Sequence, residues 1–283
     1  MVEGAGIRKP AVAGQFYAAS PEALRRQLLG CYTHPLGPGG PPQVNPATLG
    51  TVVGLVVPHA GYTYSGPVAA HAFARLAQRG TPQTVVILGP NHYGLGKPLA
   101  LSPHGSWETP LGTVEVDGAL GEALAFRLPS LASSEAAHRQ EHALEVEVPF
   151  LQHLYGCVNI LPIAMLDQGV ETSVELGRAL AKVLSPGSVV LASTDLSHYY
   201  PQGTARELDR RAIEAILSLD PSSLHDVIEK AGINMCGPGP VAAMLECLRR
   251  LGAGEARLLA YATSGDTSGK LSQVVGYVAV EVS

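Results

Sequence analysis

The chain has 283 residues, and 46% of them are hydrophobic, which is enough to bury one large core and predicts a single domain over residues 1–283. Only 15% are charged, the formal net charge is -5, and the basic residues are scattered, which argues against a nucleic-acid-binding protein. The apolar runs are far shorter than the ~20 residues that span a bilayer, and no signal-peptide core is visible, so we expect no membrane association and a cytoplasmic location.

Short β-branched runs that end in Gly, Pro, Ser or Thr alternate with amphipathic helical patterns. This alternation predicts an α/β fold with a mostly parallel central sheet and helices on both faces. The first unit is predicted as a strand over 51–57, a loop over 58–66 and a helix over 67–78 with Pro at its first position. The Pro/Gly-rich residues 35–46, which precede this unit, are predicted to form a flexible loop.

A second strand is predicted over 84–88. Gly, Pro and the single Trp, Trp107, interrupt short extended pieces over 99–116, which favours an antiparallel excursion there. In chain order, the remaining patterns predict a helix from residue 117, a helix over 141–155, a strand over 158–163, a helix over 171–184, a strand over 188–192, helices over 205–219, 222–230 and 240–251, and strands over 257–262 and 273–282.

Three histidines come shortly after predicted strands. His59 follows the first strand, His92 follows the second, and His198 follows the strand over 188–192. Ligands of open parallel sheets bind at the carboxyl ends of the strands, so we expect these side chains to converge on one site. Imidazole is a common ligand of iron, copper and zinc, which predicts a divalent-metal site. For each histidine alone, a hydrogen bond to loop backbone is the alternative.

The third ligand of such a site is left open between Asp195, Glu141 and Cys236. A carboxylate beside two histidines is typical of non-haem iron, whereas a His/Cys set is typical of zinc or copper. Cys236 precedes a predicted helix, where the macrodipole favours thiolate, and a small buried apolar residue is the alternative interpretation. The four cysteines contain no C-x-x-C pair, which argues against a disulfide scaffold or a zinc ribbon.

Two carboxylate and imidazole pairs offer groups for acid/base chemistry. Asp195 lies shortly before His198, and Glu141 directly precedes His142. The second pair is the weaker signal, because adjacent residues of a helix point in different directions.

Six motifs in order extend over nearly the whole chain. They are residues 8–17 (RKPAVAGQFY), 58–66 (PHAGYTYSG), 89–92 (GPNH), 141–145 (EHALE), 193–198 (STDLSH) and 236–237 (CG). By these motifs the sequence resembles the Memo family, also described as AmmeMemoRadiSam system protein B. The resemblance implies a fold similar to that of class III extradiol dioxygenases, the non-haem iron enzymes that open catechol rings.

The resemblance also implies a ligand set, in which His59, His92 and Cys236 hold the metal. The dioxygenases have a glutamate where this pattern has Cys236, and a thiolate changes the metal preference and the redox potential. Iron is the first expectation for the cofactor, and copper and zinc are the alternatives.

Two functions of different class are compatible with this resemblance. In the first, the chain is a dioxygenase-like oxidoreductase in which His198 is the acid/base that deprotonates a phenolic hydroxyl, Asp195 orients His198, and His142 is a second pocket histidine. In the second, the pocket has no catalytic activity, binds a metal, a peptide carboxyl terminus or a phosphate-like group, and serves a partner. A small molecule or a peptide is the expected ligand of the pocket. Family proteins are linked with a radical-SAM protein and an AMMECR1-like domain, which are the partners expected by association.

Overall fold

The computed structural model describes residues 6–283, and residues 1–5 of the predicted domain lie outside that range. Within residues 6–283 the backbone forms twelve strands: β1 (Ile7–Arg8), β2 (Val53–Val57), β3 (Thr84–Pro90), β4 (Leu99–Leu101), β5 (Ser106–Thr109), β6 (Gly112–Glu115), β7 (Leu131–Ser133), β8 (Asn159–Met165), β9 (Ser188–Ser193), β10 (His198–Tyr200), β11 (Ala256–Thr263) and β12 (Val274–Val282).

The helices of the same range cover most of the chain between the strands. They are α1 (Pro21–Thr33), α2 (Gly66–Arg79), α3 (Gly118–Arg127), α4 (Glu135–His138), a 3₁₀-helix (Glu145–Glu147), α5 (Val148–Tyr155), α6 (Val170–Val183), α7 (Gln202–Leu217), α8 (Pro221–Ala231), α9 (Pro238–Arg250) and α10 (Ser264–Ser268). None of these helices combines the length and the apolar character needed to cross a membrane. Residues 35–46 form neither helix nor strand, and their flexibility stays a prediction.

The larger of two sheets has its strands in the order β10-β12-β2-β9-β3-β8-β4-β7, and β11 also pairs with β12. Its central strands β2, β9, β3 and β8 are parallel, which confirms the predicted α/β fold. On their two sides β12 and β4 run antiparallel to their neighbours. The second sheet contains β1, β5 and β6, and its β5–β6 pair is the antiparallel excursion predicted within 99–116.

Helices cover both faces of the larger sheet, as predicted. Successive side chains of a strand point to opposite faces. In β2, Leu55 and Val57 belong to a buried cluster with α1 and α2, whereas Val56 belongs to a second cluster with α6 and α9. Residues of both clusters are almost completely removed from solvent, so the sheet is a rigid base for the loops that leave its edge.

Three central strands end at the same edge of this sheet, because they are parallel. β2 ends at Val57, β3 at Pro90 and β9 at Ser193, and each is followed by a loop that carries a predicted site histidine. The segment before α9 reaches this edge too, since the backbone N–H of Cys236 donates a hydrogen bond to the carbonyl of Asp195 at 3.1 Å.

The prediction of a helix over 141–155 is wrong for its first part, where the chain forms a loop before the 3₁₀-helix and α5. The guanidinium of Arg8 takes a backbone carbonyl that this helix would use, because it donates to the carbonyl of Glu141 at 2.8 Å. It also donates to the carbonyl of His138, at the end of α4, at 2.9 Å. The carboxylate of Glu141 in turn accepts a hydrogen bond from the N–H of Ala143 at 2.9 Å. Such contacts compete with the helical backbone ladder.

Candidate metal centre

Three histidines form a cluster at the carboxyl edge of the sheet. His59, His92 and His142 each present a possible ligand atom, and these atoms lie within 4.8 Å of one another. The ring centroids are 5.1 Å apart for His59 and His92, 5.5 Å for His59 and His142, and 4.5 Å for His92 and His142. His59 is buried and His92 is exposed, so the cluster extends from the core to the surface.

Two hydrogen bonds hold His59 at the end of β2. Its backbone N–H donates to Oδ1 of Asp195 at 2.9 Å, and its Nδ1 lies 2.8 Å from Oγ of Ser193. Its Nε2 is buried and has no hydrogen-bond partner in the described residues. Burial, followed by the neighbouring histidines, lowers the pKa of His59 well below its usual value, so the ring is neutral at pH 7. The Nε2 atom is therefore the nitrogen left for a metal ion.

Glu141 orients the other two histidines. Its carboxylate accepts hydrogen bonds from the backbone N–H of His92 at 2.6 Å and from Nδ1 of the same residue at 2.9 Å. Nδ1 of His142 lies 3.4 Å from the same carboxylate. Burial acts to raise the pKa of Glu141, but the hydrogen bond from His92 and the proximity of both histidines outweigh it, and the net pKa is lowered. An ionised carboxylate behind an imidazole is a common arrangement in metal centres.

His142, predicted as a second pocket histidine, belongs to the cluster. Its ring stacks on that of His92 and lies 4.6 Å from the ring of Phe16, measured between centroids. Burial lowers the pKa of His142 to about 4. The ring is therefore neutral at pH 7, as a metal ligand must be.

Cys236 lies beside the cluster but outside the group whose ligand atoms are within 4.8 Å of one another. Its Sγ is 3.3 Å from Nε2 of His198. Burial, with the nearby charge of Asp195, raises the pKa of the Cys236 thiol to about 12. This favours the thiol over the thiolate that its position before a helix predicts.

His198 is half-buried and is held by Asn234. The backbone N–H of His198 donates to Oδ1 of Asn234 at 2.8 Å, and its Nδ1 lies 3.1 Å from the Asn234 carbonyl. A carbonyl can only accept, so Nδ1 carries the proton, and the lone pair of Nε2 is directed toward Sγ of Cys236 at 3.3 Å. Burial lowers the pKa of His198, which keeps the ring neutral at pH 7.

Asp195 supports His59 through the hydrogen bond to its backbone, whereas Asn234 makes the contacts that orient His198. Burial raises the pKa of Asp195 to about 7, although the hydrogen bond from the His59 backbone opposes that rise. The orienting role was expected of Asp195, and Asn234 was not predicted from the sequence. A signal was available, because Asn234 lies two residues before Cys236.

Three further buried polar residues around the cluster were not predicted as site residues from the sequence: Ser193, Glu145 and Glu147. Glu145 pairs with Arg8 at 2.6 Å and so ties the motif at residues 8–17 to the loop that carries His142. Acidic residues within the apolar run that follows His142 were the available signal, since a buried acid requires a partner.

The donor set fits a divalent transition metal. Three imidazoles are ligands that suit zinc, copper and iron alike. The buried, unpartnered Nε2 of His59 is a polar atom that a bound ion would satisfy.

The similarity of this chain to known proteins extends over nearly its whole length. The family model described as "Memo-like protein" matches residues 8–281. A MEMO1 family protein of Methanopyrus kandleri is 47% identical over 277 residues, covering 96% of this chain and 98% of the relative. A MEMO1 family protein of Methanothermobacter thermautotrophicus is 47% identical over 274 residues, with coverage of 96% and 98%.

Among solved structures, the fold is similar to that of an uncharacterized protein from Escherichia coli K12. The TM-score is 0.58 at 15% sequence identity, and the similarity covers 82% of this chain and 99% of the other. At that identity the likeness shows the fold alone.

Proposed function

This chain belongs to the Memo-like protein family, and from that membership we propose that it is a metal-dependent oxidoreductase acting on a phenolic small molecule. The histidine cluster holds a divalent ion, with iron as the first candidate and copper as the second. Zinc is redox-inactive and would leave only binding or Lewis-acid chemistry. The observation that carries the proposal is the buried Nε2 of His59, which has no described protein partner and lies within a group of three imidazoles.

A bound iron or copper ion supplies the redox chemistry that amino-acid side chains lack, with dioxygen as the oxidant. His59 and His92 are common to both candidate ligand sets. The geometry favours His142 as the third donor, and the family resemblance favours Cys236.

Metal content of single variants distinguishes the two ligand sets. His59→Ala should lose the metal in either case. Loss in His142→Ala with retention in Cys236→Ser supports the three-histidine set, and the reverse result supports the set with Cys236. Cys157→Ser is the matched control, because Cys157 is an exposed free cysteine. Retention of metal by His59→Ala would contradict the proposed site.

His198 is the proposed acid/base. It is outside the histidine group, its ring is neutral, and Asn234 fixes its Nδ1–H so that Nε2 can accept the proton of a phenolic hydroxyl. His198→Ala should therefore keep nearly all of the metal while turnover falls by about 10²–10⁴-fold, the usual contribution of acid/base catalysis.

Oxygen consumption tests whether the centre is catalytic. Protein purified anaerobically and loaded with Fe(II) or Cu(II) is supplied with a panel of catechols and other phenols, and oxygen uptake above the metal-only control is expected. A silent panel with metal confirmed on the protein would reject the oxidoreductase. It would favour a non-catalytic metal-binding or peptide-binding protein, acting with radical-SAM or AMMECR1-like partners.

A cytoplasmic location is part of the proposal and agrees with four cysteines that are all free.

A further inference from the structure

Glu147 is a buried acid that the proposed chemistry does not use. It lies at the end of the 3₁₀-helix and is 1% exposed. The two other buried acids of this segment have strong partners: Glu145 pairs with Arg8, and Glu141 accepts hydrogen bonds from His92. No ion pair joins Glu147 to a described residue, and its carboxyl oxygen Oε1 lies 3.0 Å from Oγ of Ser193.

The hydroxyl of Ser193 has three polar neighbours. Its Oγ is 2.7 Å from the carbonyl oxygen of Ala143, 2.8 Å from Nδ1 of His59 and 3.0 Å from Oε1 of Glu147. A hydroxyl has one proton to donate and two lone pairs to accept with. The Ala143 carbonyl can only accept and is the shortest of the three contacts, so the proton of Ser193 is directed to it.

The other two neighbours must then donate to Ser193. His59 donates from Nδ1–H, which leaves its Nε2 with the lone pair that a metal requires. Glu147 can donate only if its carboxyl carries a proton. If Glu147 were ionised, it would attract the Ser193 proton, and the buried oxygens of Ser193 and Ala143 would face each other at 2.7 Å without a proton between them.

We propose that Glu147 is a permanently protonated positioning residue that donates a hydrogen bond to Ser193. Ser193 then links the His59 ring to the loop of Glu141 and His142, and we call this link through Ser193 the clip. The burial of Glu147 agrees with this protonation, because it raises the pKa of the carboxyl well above its usual value; the hydrogen bond with Ser193 acts to lower the pKa, and the nearby Asp195 acts to raise it.

The clip connects the supports of the whole histidine cluster. Ala143 gives its N–H to Glu141, which orients His92, and its carbonyl to Ser193, which orients His59. One peptide segment thus links the two orienting networks. The clip has a functional role only if the proposed metal binding is correct. The protonation of Glu147 and the tautomer of His59 do not depend on metal binding.

Two readouts on metal-free protein test the inference directly. Difference infrared spectroscopy should show the carbonyl stretch of a protonated carboxylic acid at pH 7 that disappears in Glu147→Gln. It should persist in Glu246→Gln, the control, because Glu246 is buried but paired with arginines. Nitrogen-15 NMR should show His59 as the Nδ1–H tautomer in wild type and in Glu147→Gln, whose amide can still donate to Ser193.

Ser193→Ala removes the acceptor of His59 Nδ1–H and should produce a mixture of His59 tautomers. Its affinity for Zn(II), used as the probe, should fall by about 10–100-fold, the usual effect of losing such a partner. Ser188→Ala, at the other end of β9, is the matched control and should change neither property. Glu147→Gln should keep the affinity of wild type.

The inference is overturned if no acid band is lost in Glu147→Gln, or if that variant changes the His59 tautomer as much as Ser193→Ala does. Failure of the proposed function gives a result distinct from failure of this inference. Wild type would then bind no metal, while the infrared and NMR measurements would still show whether Glu147 is protonated.

Discussion

Glu141 is the single side chain on which the orientation of the cluster depends most. It is fully buried, ionised, and in contact with both His92 and His142. A carboxylate in this position also raises the basicity of an imidazole ligand. Its importance was not visible from the adjacent Glu141-His142 pair alone, because the contact with His92 depends on the loop conformation.

We predict that Glu141→Gln lowers metal affinity by about 10–100-fold. The amide keeps the shape of the side chain, but it carries no charge and only one of its two polar atoms can accept a hydrogen bond from His92. Affinity is measured by competition with a chelator at pH 7. Glu115→Gln, on the exposed side of β6, is the control and should match wild type, and equal affinities in all three proteins would contradict the role of Glu141.

At the scale of elements, the strand ends were predictable and the loop of Glu141 was not. Apolar runs defined β2, β3 and β9 to within a few residues, and their parallel order brought His59 and His92 together. The 141–155 pattern gave a continuous helix because the competing partner, Arg8, is far away in sequence. No local sequence pattern shows that Arg8, in the first motif, donates a hydrogen bond to the carbonyl of Glu141.

The helix α1 was also missed, although its signals were local. Ser20 accepts a hydrogen bond from the N–H of Ala23, and Pro21 occupies the first turn. The third donor of the cluster could not be decided from the sequence. The position of the His142 ring depends on Phe16, on Glu141 and on the loop between them.

We predict that Arg8→Met destabilises the fold by about 3–5 kcal/mol, because it leaves the buried carboxylate of Glu145 without its cation. The neighbouring Lys9→Met is the control: Lys9 pairs with Glu108 at the surface, and such pairs contribute about 0–1 kcal/mol. Urea unfolding at pH 7 gives both free energies. Similar small losses in the two variants would show that Arg8 does not hold the loop.

At the scale of the whole molecule, buried neutral histidines couple stability to pH. Burial lowers the pKa of His142 and of His138 to about 4, and it lowers that of His59 as well, from a usual value of 6.5. Below pH 6.5 the unfolded chain binds protons that the folded chain does not. These histidines therefore make the free energy of unfolding of metal-free protein fall as the pH is lowered from 6.5 toward 4, whereas the raised pKa values of Asp195 and Glu147 act in the opposite direction over the same range.

Each such histidine contributes a slope of about 1.4 kcal/mol per pH unit within this window. Urea unfolding at pH 7, 6 and 5 measures the total slope. His138→Asn should reduce it without affecting metal binding, since His138 is held by the carbonyl of Ala100 outside the cluster. The same pH dependence in wild type and in His138→Asn would contradict neutral burial of His138.

The central claim is that His59, His92 and His142 form a metal centre, and anomalous diffraction from crystals loaded with Fe(II) under anaerobic conditions tests it most directly. We expect one strong anomalous peak at the iron edge, at a bonding distance of about 2.0–2.2 Å from Nε2 of His59. The ion at this peak should also be bound by His92. A metal-loaded crystal with no peak in this cluster, or with its strongest peak elsewhere, would contradict the claim.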